Sequence, residues 1–268
     1  LKTGKLSEIK ETENQINTIE ELSKIYGIGP TKASFFYEKF GITNIKDLLK
    51  ADNEKKIELT NQMKLGIKYK DLLITKIPRI LIAKLDNIIH DLILKLDKDY
   101  ISIACGSFRR GKDFSSDIDI LISNKKLKNK KDCLIYLKKI TDILSKDIII
   151  DKLTINYTNH FQGFVSFNKI KDLPKDYDKK LFNVKKNVIR IDIIIVPIQY
   201  FYPALLHFTG SGDFNQKLRL HAKSLDMKLN EYGLEKKVNG KKVELKINSE
   251  ADIFKELLLK YIPPEKRN

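Results

Sequence analysis

Apolar positions follow a helical spacing in the first part of the chain and a strand-like spacing in the middle. Up to about residue 76, apolar residues recur every three or four positions in segments that glycines separate: 19–26, 31–40 and a third segment ending at residue 49. This region predicts helices only. Beyond it, a long helix (78–96) precedes β-branched runs at 100–104, 118–122, 148–157, 164–167 and 188–196, with a helix at 131–145.

The β-branched runs predict a mixed sheet with helices on one side. From residue 198 the pattern changes to an aromatic helix-like stretch, a glycine turn at 210–212, a helix at 214–225, short strands and a last helix at 250–261. We therefore expect an α+β fold with three domains: a helical domain (1–76), a mixed-sheet domain (77–197) and a small α+β domain (198–268).

Composition adds a strong positive charge to this picture. The chain has 268 residues, 42% of them hydrophobic, and 51 Lys plus Arg against 35 Asp plus Glu give a net charge of +16. The excess is spread over all three regions, which predicts an anionic partner such as nucleic acid. A solvated surface is the alternative, because the composition is rich in Lys, Ile and Asn. No apolar run is long enough to span a membrane.

Other features set the expected context. Two cysteines are too few for a disulfide framework or a four-thiolate zinc site, and nothing at the start is typical of a signal peptide. We expect a reducing compartment. Because residue 1 is Leu1, we expect a fragment or a processed form.

A glycine turn in the first region is a candidate phosphate site. Gly27 and Gly29 allow positive φ and close backbone approach, and Pro30 suits the first turn of the next helix. Amides at that helix start favour a phosphate, although an ordinary helix turn is the alternative. With Lys32, the segment resembles the DNA-binding helix-hairpin-helix motif. That resemblance implies DNA contacts by Gly27, Gly29 and Lys32, and a monovalent cation on the main-chain carbonyls of Ser23, Ile25 and Ile28.

Acidic residues interrupt two apolar strands. Asp117 and Asp119 lie on one face of the first strand, and Arg190 and Asp192 lie on one face of a later strand. If the strands are neighbours, three carboxylates converge and repel one another, so the pattern favours divalent cations. Oxygen ligands suit Mg²⁺, and two such ions can activate a hydroxyl and stabilise a departing pyrophosphate.

A second motif lies just before the acids. Gly106 and Ser107 end a strand and can offer amides and a hydroxyl to phosphate oxygens, and Arg110 adds a charged donor. Alone, each motif is typical of a turn or a solvated strand edge. Together at this spacing, they predict a nucleotidyltransferase.

These segments resemble the family X DNA polymerases, the group that includes DNA polymerase beta. The resemblance covers almost the whole chain in order and is carried by residues 27–30, 105–119, 190–193, 207–211, 214–215, 219, 221 and 230–232. It implies that residues 1–76 bind duplex DNA, that residues 77–197 are the catalytic palm, and that residues 198–268 select the nucleotide.

The resemblance also implies residue roles. Asp117 and Asp119 would hold two Mg²⁺ ions, for which Mn²⁺ can substitute, and Asp192 would hold the catalytic ion and help to remove the primer 3′ proton. The resemblance implies contacts with the substrates as well. The triphosphate would be bound by Gly106, Ser107, Arg110 and Ser116, with Lys76 as a helper. The sugar would contact Phe208 and Gly210, the base would contact Asn215, and DNA would contact Arg190 and Arg219.

Four positions depart from the polymerase beta pattern. His207 replaces an aromatic residue, Gln216 a lysine, Gly212 an acid and Ile194 an arginine. We expect relaxed nucleotide selection. We also expect His160 to be at most a template contact, and the deoxyribose phosphate lyase activity of beta-like members to be absent from this chain.

The favoured interpretation is a template-directed polymerase that fills short gaps in DNA repair. Its partners would be gapped or primer–template DNA and deoxynucleoside triphosphates, without a membrane. We expect a monomer at an intracellular site, nuclear or viral. The alternatives are a template-independent terminal transferase, an RNA nucleotidyltransferase and a non-catalytic gap-binding module.

Overall fold

The computed structural model describes residues 2–73, 76–156, 159–166, 188–239 and 241–268. Two units divide the chain, residues 1–74 and residues 75–268, and each has its own hydrophobic core. The predicted boundary between residues 197 and 198 falls within the second unit and stays a prediction. The expected strand ends at residues 157 and 167 lie outside the described residues.

Helices make up the described part of the first unit. They are α1 (Lys2–Ser23), α2 (Pro30–Phe40), α3 (Ile45–Asn53), α4 (Asn61–Lys68) and α5 (Lys70–Leu73). Side-chain oxygens of Asn44 and Thr60 accept N–H groups of the first turns and so cap α3 and α4. The inward faces share one core, which includes Leu22, Ile25, Ile28, Ala33, Phe36 and Leu48.

The first helix is longer than predicted. It begins at Lys2 instead of Ile19 and ends at Ser23, so Tyr26 lies in the following turn. Residues 2–18 lack a clear apolar stripe, but they include three Lys, three Glu and one Gln. Several of these residue types have high intrinsic helix propensity, which accounts for a helix that the apolar spacing does not predict.

A mixed five-stranded sheet organises the second unit. Its elements in chain order are β1 (Ile77–Pro78), α6 (Arg79–Leu94), β2 (Tyr100–Ala104), α7 (Gly106–Arg109), β3 (Phe114–Ser115), β4 (Asp117–Asn124), α8 (Lys130–Asp147), β5 (Ile149–Asn156), β6 (His160–Ser166) and β7 (Val188–Ile195). The strand order is β2-β4-β7-β6-β5, and β1 pairs separately with β3. Only the β4–β7 pair is parallel among the pairs of the large sheet. The predicted α+β class with a mixed sheet is confirmed.

Helices cover both faces of this sheet, contrary to the prediction of one side. α6 and α8 pack on the face that carries Ile118 and Ile191. Helix α9 (Phe201–Thr209) covers part of the other face, where Leu121 and Ile194 pack against Phe201 and neighbouring residues. An aromatic and aliphatic helix directly after a sheet strand buries its surface against that sheet.

The last part of the unit is a small α+β assembly. It contains α9, α10 (Gly212–Ser224), β8 (Met227–Asn230), β9 (Gly233–Val238), β10 (Lys241–Glu244) and α11 (Glu250–Glu256), with 3₁₀ turns at Ile198–Tyr200 and Pro264–Lys266. β8, β9 and β10 form an antiparallel sheet. α11 ends before the predicted residue 261, because Leu258 is left-handed (φ 58°) and the Leu259 N–H closes the helix on the carbonyl of Phe254. Among the described residues, no helix has the length and apolar character needed to cross a bilayer.

Candidate active site

The predicted acidic residues share one face of the central sheet. The parallel register of β4 and β7 places Asp119 beside Asp192, and Asp117 beside Arg190. The intervening Ile118 points into the core and is buried, as the period-two spacing predicts. The neighbouring arrangement on which the metal hypothesis depends is therefore present.

Asp192 is the least exposed of the three acids, and three side chains contact it. Its exposed fraction is 5%. The amide of Gln162 donates to Asp192 Oδ1 at 2.6 Å, and His160 Nε2 lies 3.2 Å from the same oxygen. Arg190 Nε donates to Asp192 Oδ2 at 3.1 Å, and its Nη2 also pairs with Asp117. The buried carboxylate therefore has donors on both oxygens.

Burial and neighbouring charges give the three acids different pKa values. Burial, together with the carboxylates of Asp117 and Asp192, raises the pKa of Asp119 to about 7. Burial also raises the pKa of Asp117, although Arg190 opposes this. At Asp192 burial again favours the neutral form, but hydrogen bonding by His160 and the charge of Arg190 outweigh burial and lower the pKa. Asp192 is therefore anionic at neutral pH, whereas Asp119 readily takes a proton.

The glycine turn predicted to contact phosphate lies against these acids. Gly106 follows β2, opens α7 and has φ 55°, which favours glycine. A Cβ at this position would overlap the Asp119 carboxylate. Ser107 Oγ lies 2.8 Å from Ser115 Oγ, and the exposed Ser116 directly precedes Asp117. The structure thus brings the Gly-Ser turn and the acids together.

Arg110 links this turn to the end of α9. Its Nη1 donates to the carbonyl of Thr209 at 2.7 Å, next to Gly210. Burial lowers the pKa of Arg110, although Asp119 opposes the shift. The predicted triphosphate contact and a predicted sugar contact are therefore adjacent.

The donor set of this face fits divalent cations in charge and atom type. Three carboxylates supply the hard oxygens that Mg²⁺ prefers. Across the described ranges, however, no three His, Cys, Asp or Glu side chains already stand in metal-binding geometry. The guanidinium of Arg190 pairs with both Asp117 and Asp192 in this conformation. The convergence of the three acids is therefore only partial here, and Arg190 supplies the compensating charge.

The DNA contact expected for Arg190 stays a prediction. In this conformation its guanidinium pairs with two acids of the same sheet face. The physical reason is electrostatic, because a buried carboxylate such as Asp192 is costly without a cationic or hydrogen-bonding partner.

The predicted base and template contacts cluster around His207. Asn215 Nδ2 donates to the His207 carbonyl at 2.7 Å, and Arg219 Nη2 lies 3.1 Å from His207 Nδ1. Arg219 also pairs with Glu231 at 3.4 Å. Burial, assisted by Arg219, lowers the pKa of His207, so its ring is neutral at neutral pH. Phe208 follows in the chain and is partly buried against the core below α9.

The glycine turn of the first unit only partly matches its prediction. Gly27 has φ 89°, as expected, but Gly29 has φ −89°, so its backbone does not require glycine. The explanation is that Gly29 is the extended residue before α2, a conformation that any residue can adopt. Gly29 and Lys32 are exposed. Of the proposed cation ligands, the Ile25 carbonyl already accepts the Ile28 N–H at 2.9 Å, and the cation site stays a prediction.

Comparisons with known proteins match nearly all of this architecture. A model described as DNA polymerase beta palm matches residues 76–198, one described as DNA polymerase beta thumb matches residues 204–268, and one described as fingers domain of DNA polymerase lambda matches residues 20–73. The chain belongs to the family X DNA polymerases. It is thus a member of a family of nucleotidyltransferases, and the predicted family is confirmed.

Its relatives within family X include two kinds of protein. DNA polymerase lambda of Rattus norvegicus is 27% identical over 276 residues, which cover 100% of this chain and 45% of the relative. DNA nucleotidylexotransferase of Xenopus laevis is 29% identical over 289 residues, which cover 100% of this chain and 56% of the relative. DNA polymerase lambda of Arabidopsis thaliana is 27% identical over 280 residues, which cover 99% of this chain and 50% of the relative. The chain spans about half the length of these relatives.

Sequence reasoning missed two groups of this family X site. Gln162 and His160 contact Asp192 directly, and whether His160 also contacts the template stays a prediction. Arg109, Glu250 and Arg267 form a buried ion-pair network that reaches Thr209. The alternation of His160 and Gln162 along a strand could have identified the first group. No local sequence pattern predicts the ion-pair network.

Proposed function

We propose that this chain is a template-directed DNA polymerase that fills short gaps in DNA, as in base excision repair, with deoxynucleoside triphosphates as substrates. The observation that carries the proposal is the pairing of Asp119 with Asp192 across parallel strands, beside the Gly106 turn. Acids and a phosphate-binding turn on one face of the sheet suit nucleotidyl transfer, because the attacking and the leaving oxygen must both be stabilised.

The side chains of the site divide the reaction between them. Mg²⁺, or Mn²⁺ in its place, would be held by Asp117, Asp119 and Asp192, and would acidify the primer 3′ hydroxyl and offset the charge of the leaving pyrophosphate. Asp192 is anionic at neutral pH and is the group we assign to the primer hydroxyl proton. Gly106, Ser107, Arg110 and the Ser116 backbone bind the triphosphate, and the Thr209 carbonyl already orients Arg110.

The remaining assignments concern the rest of the substrate. Phe208 and Gly210 contact the sugar, Asn215 the base and Arg219 the template strand. In the first unit, Gly27, Gly29 and Lys32 bind duplex DNA, and the carbonyls of Ser23, Ile25 and Ile28 hold a monovalent cation. The division into residues 1–76, 77–197 and 198–268, a monomeric state and a nuclear or viral repair site belong to the same proposal.

Terminal transfer without a template is the second candidate. A specific observation favours keeping it, because the relatives include DNA nucleotidylexotransferases as well as DNA polymerase lambda. Both candidates need the same three acids, so only the dependence on a template separates them.

The test is extension of a primer across a one-nucleotide gap with Mg²⁺. We expect insertion of the complementary nucleotide, and a loss of at least roughly 1,000-fold in Asp192→Ala, because several kcal/mol of charge stabilisation disappears. Asp142→Ala is the matched control, since Asp142 is exposed on α8. Insertion that ignores the template base and proceeds on a single strand favours terminal transfer. Equal activity of Asp192→Ala rejects both candidates.

A further inference from the structure

Two side chains of strand β6 bind the least exposed acid of the site. Gln162 Nε2 donates to Asp192 Oδ1 at 2.6 Å, and His160 Nε2 lies 3.2 Å from that oxygen. Asp192 is 5% exposed. Its Oδ1 therefore already has two partners from a strand that carries none of the three acids.

The strand register builds this contact into the sheet. Gln162 stands directly opposite Asp192 in the antiparallel β6–β7 pair, and His160 stands opposite Ile194, two positions further along the same face. Between them, Phe161 points to the other face and is fully buried. A one-residue slip would expose Phe161, so packing fixes the position of both polar side chains.

The two oxygens of Asp192 consequently have different surroundings. Oδ1 faces Gln162 and His160, whereas Oδ2 faces Arg190, whose Nε lies 3.1 Å away. Arg190 also pairs with Asp117, so Oδ2 is the oxygen on the side of the other acids. Because the amide of Gln162 is neutral, it orients the carboxylate without cancelling its charge.

We infer that Gln162 and His160 are positioning residues, which hold Oδ1 of Asp192 so that Oδ2 is the single oxygen presented to the divalent cation and the primer 3′ hydroxyl. The inference rests on the proposed function. Side chains that orient a metal-ligating carboxylate typically contribute 10- to 100-fold to metal affinity or activity. Misaligned carboxylates lose catalysis more than substrate binding, because the reacting geometry is the sensitive quantity.

The decisive variant is Gln162→Met, which keeps the length of the side chain and removes the donor. Its matched control is Gln199→Met, because Gln199 is exposed and its amide donates to the Lys128 carbonyl over a long distance of 3.4 Å. Single-nucleotide gap filling gives kcat and the KM for the nucleotide, and thermal unfolding reports folding. Electron paramagnetic resonance measures Mn²⁺ binding to the protein on gapped DNA with a dideoxy-terminated primer.

We expect Gln162→Met to lower kcat and Mn²⁺ affinity about tenfold, with the KM and the unfolding midpoint close to the unmodified chain. Gln162→Met combined with His160→Phe should lose more, and Gln199→Met should lose nothing. A kcat within twofold of the unmodified chain in the double variant overturns the inference, and so does a rise in KM alone. If the unmodified chain inserts no templated nucleotide, the proposed function fails separately. Mn²⁺ binding then decides: a tenfold weakening supports the positioning role, and equal affinity overturns it.

Discussion

Removal of the Glu250 carboxylate should destabilise the second unit strongly. Glu250 accepts hydrogen bonds from Arg109 at 2.6 and 3.0 Å and from Arg267 Nη1 at 2.6 Å. Arg267 has an exposed fraction of 0%, and the rings of Phe214, Phe254 and Tyr261 surround its guanidinium at 5.6 to 5.7 Å. In Glu250→Ala, that guanidinium stays buried without its anionic partner.

The magnitude follows from the cost of a buried unpaired charge. Removing one partner of a buried ion pair costs about 3 to 5 kcal/mol, because the other charge keeps its desolvation penalty. The second unit spans residues 75–268. For a unit of this size, such a loss lowers the unfolding midpoint by roughly 6 to 20 °C. Glu250→Gln keeps an acceptor oxygen and should lose less.

Differential scanning calorimetry of the chain measures this shift directly. The control is Asp142→Ala, because Asp142 is 56% exposed and lies 4.0 Å from Lys152 Nζ. An exposed pair of this kind contributes at most about 1 kcal/mol. If Glu250→Ala shifts the midpoint of the second unit no more than Asp142→Ala does, the buried network does not stabilise the unit as argued.

Two further predictions concern the stability of the chain outside the candidate active site. Burial raises the pKa of Asp86 to about 6 from its usual 3.8, so the folded state loses stability as the pH rises from 3.8 through 6. Asp86→Asn should therefore stabilise the chain by about 1 to 2 kcal/mol at pH 7.5 and by nothing below pH ~3.8, where the carboxyl group is neutral in both states. Denaturant unfolding at both pH values measures the difference. Gly27→Ala should lose about 1 to 2 kcal/mol because Gly27 has φ 89°. Gly29→Ala should fold normally, since its added Cβ meets open space, and equal losses would contradict this backbone assignment.

Much of the acidic face could be predicted from the sequence. Alternation of Asp117, Ile118 and Asp119 fixes which side chains share a face, because a strand has a period of two. The pattern does not determine which strands are neighbours. The adjacency of β4 and β7 depends on the whole sheet order, and so the pairing of Asp119 with Asp192 needed the structure.

Other features had no local pattern to reveal them. The Arg109–Glu250 pair joins residues 141 positions apart, and an isolated Glu at a helix start is ordinarily a solvated residue. The early start of α1 follows from helix propensity, which carries less information than an apolar stripe. From the sequence alone, Gln162 is typical of a polar residue in a half-exposed strand. Only the strand register shows that it lies opposite Asp192.

The position of the site follows from where helix α9 covers the sheet. On the face that carries the acids, each strand changes from polar to apolar two residues later, from Asp119 to Leu121 and from Asp192 to Ile194. Leu121 and Ile194 are buried below α9, which therefore packs over the apolar half, next to the acids. Ile194, a departure from the polymerase beta pattern, is thus part of the packing that seats α9. Because α9 ends at Thr209, whose carbonyl binds Arg110, the same packing brings the proposed sugar-contacting turn next to the acids.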